Sequence, residues 1–320
     1  MKVLFTGSSS FTGFYFINEL AKDESLEIHT TISKRISEYN GIKNVRLSLL
    51  NPKIIIHENM QFGDSSFLEL LASDNIKFDI LCCHGAYVEN YNSNEFDLLK
   101  AVSLNTKNIA LAISLFKENG GSIIINTGSV FEPNEGICNE NQRSFNLYGL
   151  SKFFSHELFK YYCQINDVSY GKFVIANPFG KFEEPRFTNY LFKCWERNEI
   201  PMVQTPKYIR DNIPVDLLAM SYRGFLNLII EERQRNFISQ NYQVNPSGYV
   251  ESQQQFATRI LYEVNNKFKF NYQVDFFEQI KFDQPISRYN KSNILDLYTN
   301  WDENQFWLDY INFYLKKSDI

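Results

Sequence analysis

The chain is poor in cysteine and histidine and lacks a long apolar run. Its five cysteines (Cys82, Cys83, Cys138, Cys163, Cys194) are odd in number and form no C-x-x-C pair, which speaks against a disulfide framework and against a zinc site. The four histidines (His29, His57, His84, His156) show no metal-ligand spacing, so no metal is expected. No stretch approaches the roughly 18 apolar residues of a membrane span. Residues 1–5 run straight into Thr6-Gly7, so no signal peptide is read, and a reducing, cytoplasmic setting is expected. A basic excess is missing too. Thirty-two Lys and Arg face 37 Asp and Glu, a net charge of −5, which argues against nucleic acid held by bulk electrostatics. Internal repeats and low-complexity tracts are absent.

What is present is apolar and aromatic: 44% hydrophobic residues, with 29 Phe and 19 Tyr among the 320. Rings on this scale read as core filling. In the first half, short apolar runs alternate with amphipathic stretches. Strands are expected at 2–6, 27–32, 54–57, 78–83, 122–126 and 172–176. Helices are expected at 11–20, 67–71, about 96–116 and about 146–165. Such alternation, with strands apolar throughout, predicts an α/β fold: a doubly wound parallel sheet with helices on both faces. After Asn177-Pro178 the pattern changes to longer loops, strands within 267–277 and an amphipathic helix at 303–315. The expected division is 1–177, with a returning segment at about 208–235, and a smaller α+β lobe of 178–207 and 236–320.

Chemistry enters at Thr6-Gly7-Ser8-Ser9-Ser10-Phe11-Thr12-Gly13. Glycines at both ends of this turn, after a strand and before a helix, let backbone N–H groups approach a pyrophosphate at a positive helix end. Gly7, Ser9, Ser10, Phe11 and Gly13 are the contact candidates of a Rossmann-type dinucleotide site. The second strand ends in Ser33-Lys34-Arg35 rather than in an acid that would hold a ribose 2′-OH. Cations there suit a 2′-phosphate, so NADP(H) is favoured, with NAD(H) the alternative. Asp64 is a candidate for the adenine amine. Tyr148 and Lys152 are i and i+4 on the fourth helix and share a face. A neighbouring ammonium is expected to lower the tyrosine pKa and fit it for proton transfer beside a hydride step. Thr127, or else Ser129, at the end of the fifth strand can hydrogen-bond the reacting oxygen.

This constellation resembles the extended short-chain dehydrogenase/reductase family, the NAD-dependent epimerases/dehydratases. Thr6-Gly7…Gly13 is similar to its T-G-x-x-G-x-x-G, with Ser10 in place of the middle glycine. His84-Gly85-Ala86 matches its H-x-A, and Asn105 matches its helix asparagine. Thr127 lies four residues before Phe131, as the family's catalytic hydroxyl lies before an aromatic. Tyr148 and Lys152 match Y-x-x-x-K. Asn177-Pro178-Phe179-Gly180 is similar to N-x-Y-G. Arg210–Asp216 looks like R-D-x-x-H-V-D-D, with Pro214 replacing its histidine. The resemblance implies a nucleotide-sugar substrate, with Arg210 as diphosphate clamp, Asn177 and Ser129 near the substrate, and a homodimer. Gly128 and Ser129 stand where the family's dehydratases carry an Asp-Glu pair, which argues against elimination. The missing acid after the second strand tips the expectation to an NADPH-dependent 4-keto reductase, with an NAD-dependent 4-epimerase as the alternative. A non-catalytic dinucleotide-binding scaffold is the rival from another class.

Overall fold

A run such as Ile123-Ile124-Ile125 has no polar face, and the computed structural model shows why it needs none. Ile123 and Ile125 enter one core cluster, and Ile124 enters another on the opposite side of the sheet. Val3 and Phe5 separate from Leu4 in the same way. Alternate residues of a strand point to opposite faces, so a sheet covered on both sides is apolar at every position. The structure describes residues 1–140, 142–236, 238–293 and 300–315.

In chain order, β1 (Lys2–Thr6), α1 (Phe11–Leu20), β2 (Glu27–Thr31), α2 (Gly41–Ser48), β3 (Ile55–His57), α3 (Ser65–Leu71) and β4 (Ile80–Cys83) make the first part. Then come α4 (Leu98–Asn105), α5 (Ile109–Glu118), β5 (Ile123–Ser129), β6 (Ile137–Cys138), α6 (Leu147–Ile165) and β7 (Ser169–Ile175). The remainder is β8 (Asn177–Phe179), α7 (Phe187–Glu196), β9 (Met202–Val203), β10 (Ile209–Pro214), α8 (Val215–Arg235), β11 (Asn241–Val244), β12 (Pro246–Ser247), β13 (Tyr249–Ser252), α9 (Gln253–Phe268), β14 (Asp275–Phe276), β15 (Ser287–Tyr289), β16 (Ser292–Asn293) and α10 (Glu303–Leu315).

Seven parallel strands form the main sheet in the order β11-β7-β5-β4-β1-β2-β3. The order reverses between β1 and β4, and ligands of open α/β sheets bind at such a switch point, beyond the carboxyl ends of the strands. A smaller mixed sheet, β13-β10-β15-β6 with β8 on β10, carries the second-half segments and reaches back to the loop after β5. Its apolar support is a separate cluster around Phe179, Trp195, Phe256, Trp307 and Tyr310.

Four features depart from the sequence reading. The expected helix 96–116 is two helices, because Asn108 adopts a left-handed conformation (φ 51°) and its side-chain amide donates to the Gly63 carbonyl. Of the strands expected within 267–277 only β14 forms, pairing with β9. Lys269 is left-handed, the Asn265 side chain brackets Tyr272, and the Tyr272 ring stacks on Trp195 at 5.3 Å instead of pairing in a sheet. The second half also holds two long helices, α8 and α9, where scattered short elements were expected. Finally, β11 lies within 236–320 yet pairs with β7 at the edge of the main sheet. Residues 237, 294–299 and 316–320 of that segment lie outside the described residues, as does Asn141 of the loop after β5.

Candidate active site

Two glycines close the turn after β1, and Gly85 beyond β4 packs against it. Gly7 has φ +85°, and a Cβ on it would lie 2.6 Å from the Gly85 nitrogen. A Cβ on Gly13 would lie 2.2 Å from the Gly7 carbonyl oxygen. Ser10 caps α1: its hydroxyl accepts from the Gly13 N–H (3.1 Å) and donates to the Gly7 carbonyl (2.8 Å). Phe11 is buried under the Arg46 guanidinium. Arg46, fully buried on α2, donates to the carbonyls of Ser9 (3.2 Å) and Phe182 (2.9 Å) and to the Glu184 carboxylate (2.7 Å). It ties the turn to the segment after β8. Nothing in sequence spacing singled Arg46 out.

At the end of β4, the backbone N–H groups of His84 and Gly85 both donate to the Thr6 hydroxyl. The His84 ring lies between β1 and β5. Its Nδ1 is 2.9 Å from Thr127 Oγ1, and its Nε2 is 3.1 Å from both Ser10 Oγ and Thr12 Oγ1. Burial and the Lys152 charge lower its pKa to about 3, so the ring is neutral. Ala86 is half-buried beside it, and the next residue, Tyr87, donates its N–H to Asn105 Oδ1 (2.8 Å). Asn105 on α4 therefore fixes the His84-Gly85-Ala86 loop.

Tyr148 and Lys152 occupy the first two turns of α6. Asn146 caps that helix by accepting from the Gly149 N–H. A Cβ on Gly149 would sit 2.0 Å from the Phe131 carbonyl oxygen, so only glycine lets α6 dock on the loop after β5. Gly149→Ala is expected to lower the melting temperature by several degrees and to cut any Tyr148-dependent turnover more than tenfold. Parallel calorimetry and rate measurements check this, and an unchanged variant would refute the docking argument. The Tyr148 ring packs edge-on against Tyr91 and Phe96. The expectation that Lys152 lowers its pKa does not hold. Burial, reinforced by the Glu132 charge, pushes the phenol well above its usual value. Lys152 is buried too, and burial pulls its ammonium down. It faces a small cavity lined by Thr6, Cys83, Gly85, Asn105 and Asn126, with no hydrogen-bond or ion-pair partner among the described residues.

Behind the site lies a buried charge cluster that the sequence reading missed. Lys172 on β7 ion-pairs with Glu132 and with Glu135, each at 2.7 Å. Glu132 also accepts from the Ser129 N–H (2.7 Å), and Glu135 from the side chains of Gln243 and Asn245. Burial raises the Glu132 pKa even so. No spacing rule marks these residues, since they come from two loop positions and one strand. Among the described residues no group of three His, Cys, Asp or Glu is placed to hold a metal, and no helix is long and apolar enough to cross a membrane.

The sequence profile described as the NAD dependent epimerase/dehydratase family matches residues 3–219. The chain belongs to that family, of the extended short-chain dehydrogenase/reductase type. Solved structures agree in fold. The UDP-N-acetylglucosamine 4-epimerase of Methanobrevibacter ruminantium, in complex with UDP-N-acetylmuramic acid, superposes with a TM-score of 0.70 at 16% identity, over 99% of this chain and 98% of that one. The UDP-glucose-4-epimerase of Stenotrophomonas maltophila, with bound NAD and formylated UDP-arabinopyranose, gives 0.74 at 14% identity, over 100% and 99%. The dTDP-glucose 4,6-dehydratase of Streptomyces venezuelae gives 0.71 at 11%, over 100% and 98%. No curated protein matches the chain by sequence.

Several family-motif residues are engaged elsewhere in this epimerase/dehydratase chain. Asp64 pairs with Lys107 at 2.6 Å instead of standing free for an adenine. Arg210 forms no ion pair with Asp211 or Asp216. Its guanidinium donates to the carbonyls of Ile209, Pro285 and Ile286 and lies over the Tyr208 and Phe145 rings. Asp211 faces the other way and accepts from Gly248 and Asn290. Asn177 pairs in register with Asn212 of β10. A second arginine, Arg288, is fully buried and donates to the carbonyls of Val130 and Glu132, holding the loop after β5. Ser129 stays at that loop, its hydroxyl accepting from the Phe131 N–H. Ser33, Lys34 and Arg35 are exposed at the end of β2, and a carboxylate reaches this loop from beyond β3, where Glu58 accepts the Ile36 N–H.

Proposed function

We propose that the chain is a nucleotide-sugar 4-epimerase that uses a nicotinamide dinucleotide, with Tyr148 as the acid and base at the sugar C4 oxygen. The observation that carries this reading is the buried Lys152 ammonium, unpartnered among the described residues and one helical turn from Tyr148 on α6. The hydrogen-bonding capacity of this ammonium is unused among the described residues, since Glu132, the acid whose charge acts on it, is paired with Lys172, and a ligand that accepts its hydrogen bonds offsets the cost of burial. The cradle fits such a ligand: at the N-terminus of α1 a Cβ on Gly7 or Gly13 would collide with neighbouring backbone, and Gly85 packs against Gly7. Gly7, Ser9, Ser10 and Phe11 would border the pyrophosphate, and Lys152 a ribose. When bound, the nicotinamide supplies a hydride acceptor and donor. Tyr148 takes the proton of the C4 hydroxyl and later returns one, while Thr127 binds the sugar beside it.

Epimerisation ranks first because the solved relatives named above include two 4-epimerases, one of them with NAD. The missing Asp-Glu pair after Thr127 supports the same choice over dehydration. An NADPH-dependent 4-keto reductase is the second reading, favoured by Lys34 and Arg35, which have no partner among the described residues at the end of β2. The division of labour is part of the proposal: 1–177 and 208–235 for the dinucleotide, 178–207 and 236–320 for the sugar. So is a homodimer through α4 and α6, whose outer faces expose Leu104, Phe154, Tyr161 and Ile165.

Calorimetric titration with NAD, NADH, NADP and NADPH, followed by incubation with UDP- and dTDP-hexoses, tests the assignment. NAD retained through purification and C4 inversion without net redox change are expected. Tight, exchangeable NADPH, weakened at least tenfold by Lys34→Ala/Arg35→Ala, would hand the site to the reductase reading. Binding of none of the four would overturn both.

A further inference from the structure

Ser10 stands where the related turns carry a glycine, and its hydroxyl has a task that a glycine could not perform. It sends its proton to the Gly7 carbonyl (2.8 Å) and accepts the Gly13 N–H (3.1 Å). What it has left to offer His84 Nε2, at 3.1 Å, is an oxygen lone pair. A lone pair on Nε2 would face that lone pair and be repelled, whereas an N–H there makes a hydrogen bond. The buried ring is neutral and carries one proton. If Nε2 holds it, Nδ1 is an acceptor, and its partner at 2.9 Å is Thr127 Oγ1.

We propose that Ser10 fixes the His84 proton on Nε2, so that Thr127 donates its hydroxyl proton to His84 Nδ1 and presents only oxygen lone pairs to the substrate. His84 is then a positioning residue. Thr127 receives a hydrogen bond from a sugar hydroxyl instead of giving one to a carbonyl, and Tyr148 is left as the donor to the C4 oxygen. The remaining neighbour of Nε2, Thr12, does not select the tautomer, because its hydroxyl hydrogen rotates and serves either form.

The inference rests on the reading of Thr127 as a site residue, and its test is independent of turnover. Long-range ¹H–¹⁵N spectra of the full ligand-free chain, labelled in its four histidines, report which ring nitrogen is protonated. His84 is assigned by elimination with His29→Gln, His57→Gln and His156→Gln. A pyrrole-type Nε2 and a pyridine-type Nδ1 are expected in the wild type and in Thr12→Val. Ser10→Gly, a mild change at a helix cap, should populate the second tautomer. A pyrrole-type Nδ1 in the wild type would overturn the proposal, and so would a tautomer that responds to Thr12→Val but not to Ser10→Gly. A chain with the expected spectrum but no action on any nucleotide-sugar would sink the catalytic reading alone.

Discussion

Tyr148→Phe is expected to lower kcat by about 10²–10⁴, the usual worth of a positioned acid–base group, while dinucleotide affinity stays within about threefold. The phenyl ring keeps the packing against Tyr91 and Phe96 and loses only the hydroxyl. Steady-state rates and calorimetry on the same preparation separate the two effects, and a variant within tenfold of wild type would remove Tyr148 from the chemistry. The raised pKa adds a pH signature. Below that value each pH unit multiplies the phenolate fraction tenfold. The kcat/KM for oxidising a C4 alcohol should therefore climb through the neutral range, while reduction of a C4 ketone, which needs the phenol, stays flat.

Lys172→Met is expected to destabilise the fold by about 3–5 kcal/mol, because it leaves Glu132 and Glu135 buried without their shared cation. Urea unfolding measures the loss. The pH dependence fixes the cause. The folded-state pKa of Glu132 lies above its unfolded value, so the native state binds the extra proton. That contribution is fully present below the unfolded pKa and fades as pH rises through the folded one. Without Lys172 the folded value rises further, so the deficit of the variant should be smallest below the unfolded carboxylate pKa and should grow as pH rises through the folded value. Adding Glu132→Gln should recover part of it. A deficit that does not vary with pH would mean that lost packing, not charge, is responsible.

Local pattern carried the sheet. Helix α1 falls at the expected 11–20, and β1 at 2–6, because apolar spacing and the glycine turn are written in neighbouring residues. The motif residues lie at element ends for the same reason: Thr127 and His84, in contact at 2.9 Å, at the ends of strands, and Tyr148 and Lys152 in the first turns of a helix. What stayed hidden depends on distant partners. Arg46 meets Phe182 across 136 positions, Arg288 meets Val130 across 158, and Lys172 needs acids from a loop that no periodicity marks. The aromatic alternation of 267–277 misled in part: Phe270 stacks on Tyr272 and Tyr272 on Trp195, and only Asp275–Phe276 pairs with a neighbouring strand. Arg210 reads as a free phosphate fork, whereas in the fold its Nη1 donates to the carbonyls of Pro285 and Ile286 and its Nη2 to the Gln284 side chain.

The edge strand β11 also sets a timetable for biosynthesis. Strand β7 ends at Ile175, but its outer neighbour is not complete until Val244. At about 5–20 residues per second, a ribosome needs several seconds to deliver that stretch. Throughout that interval β7 presents an open row of N–H and C=O groups, a template for wrong pairing. The same delay withholds Gln243 and Asn245 from Glu135, so the buried charges finish assembling only when the edge is sealed. Truncation before residue 241 should therefore leave a nascent chain with six of its seven main-sheet strands and a marked tendency to aggregate.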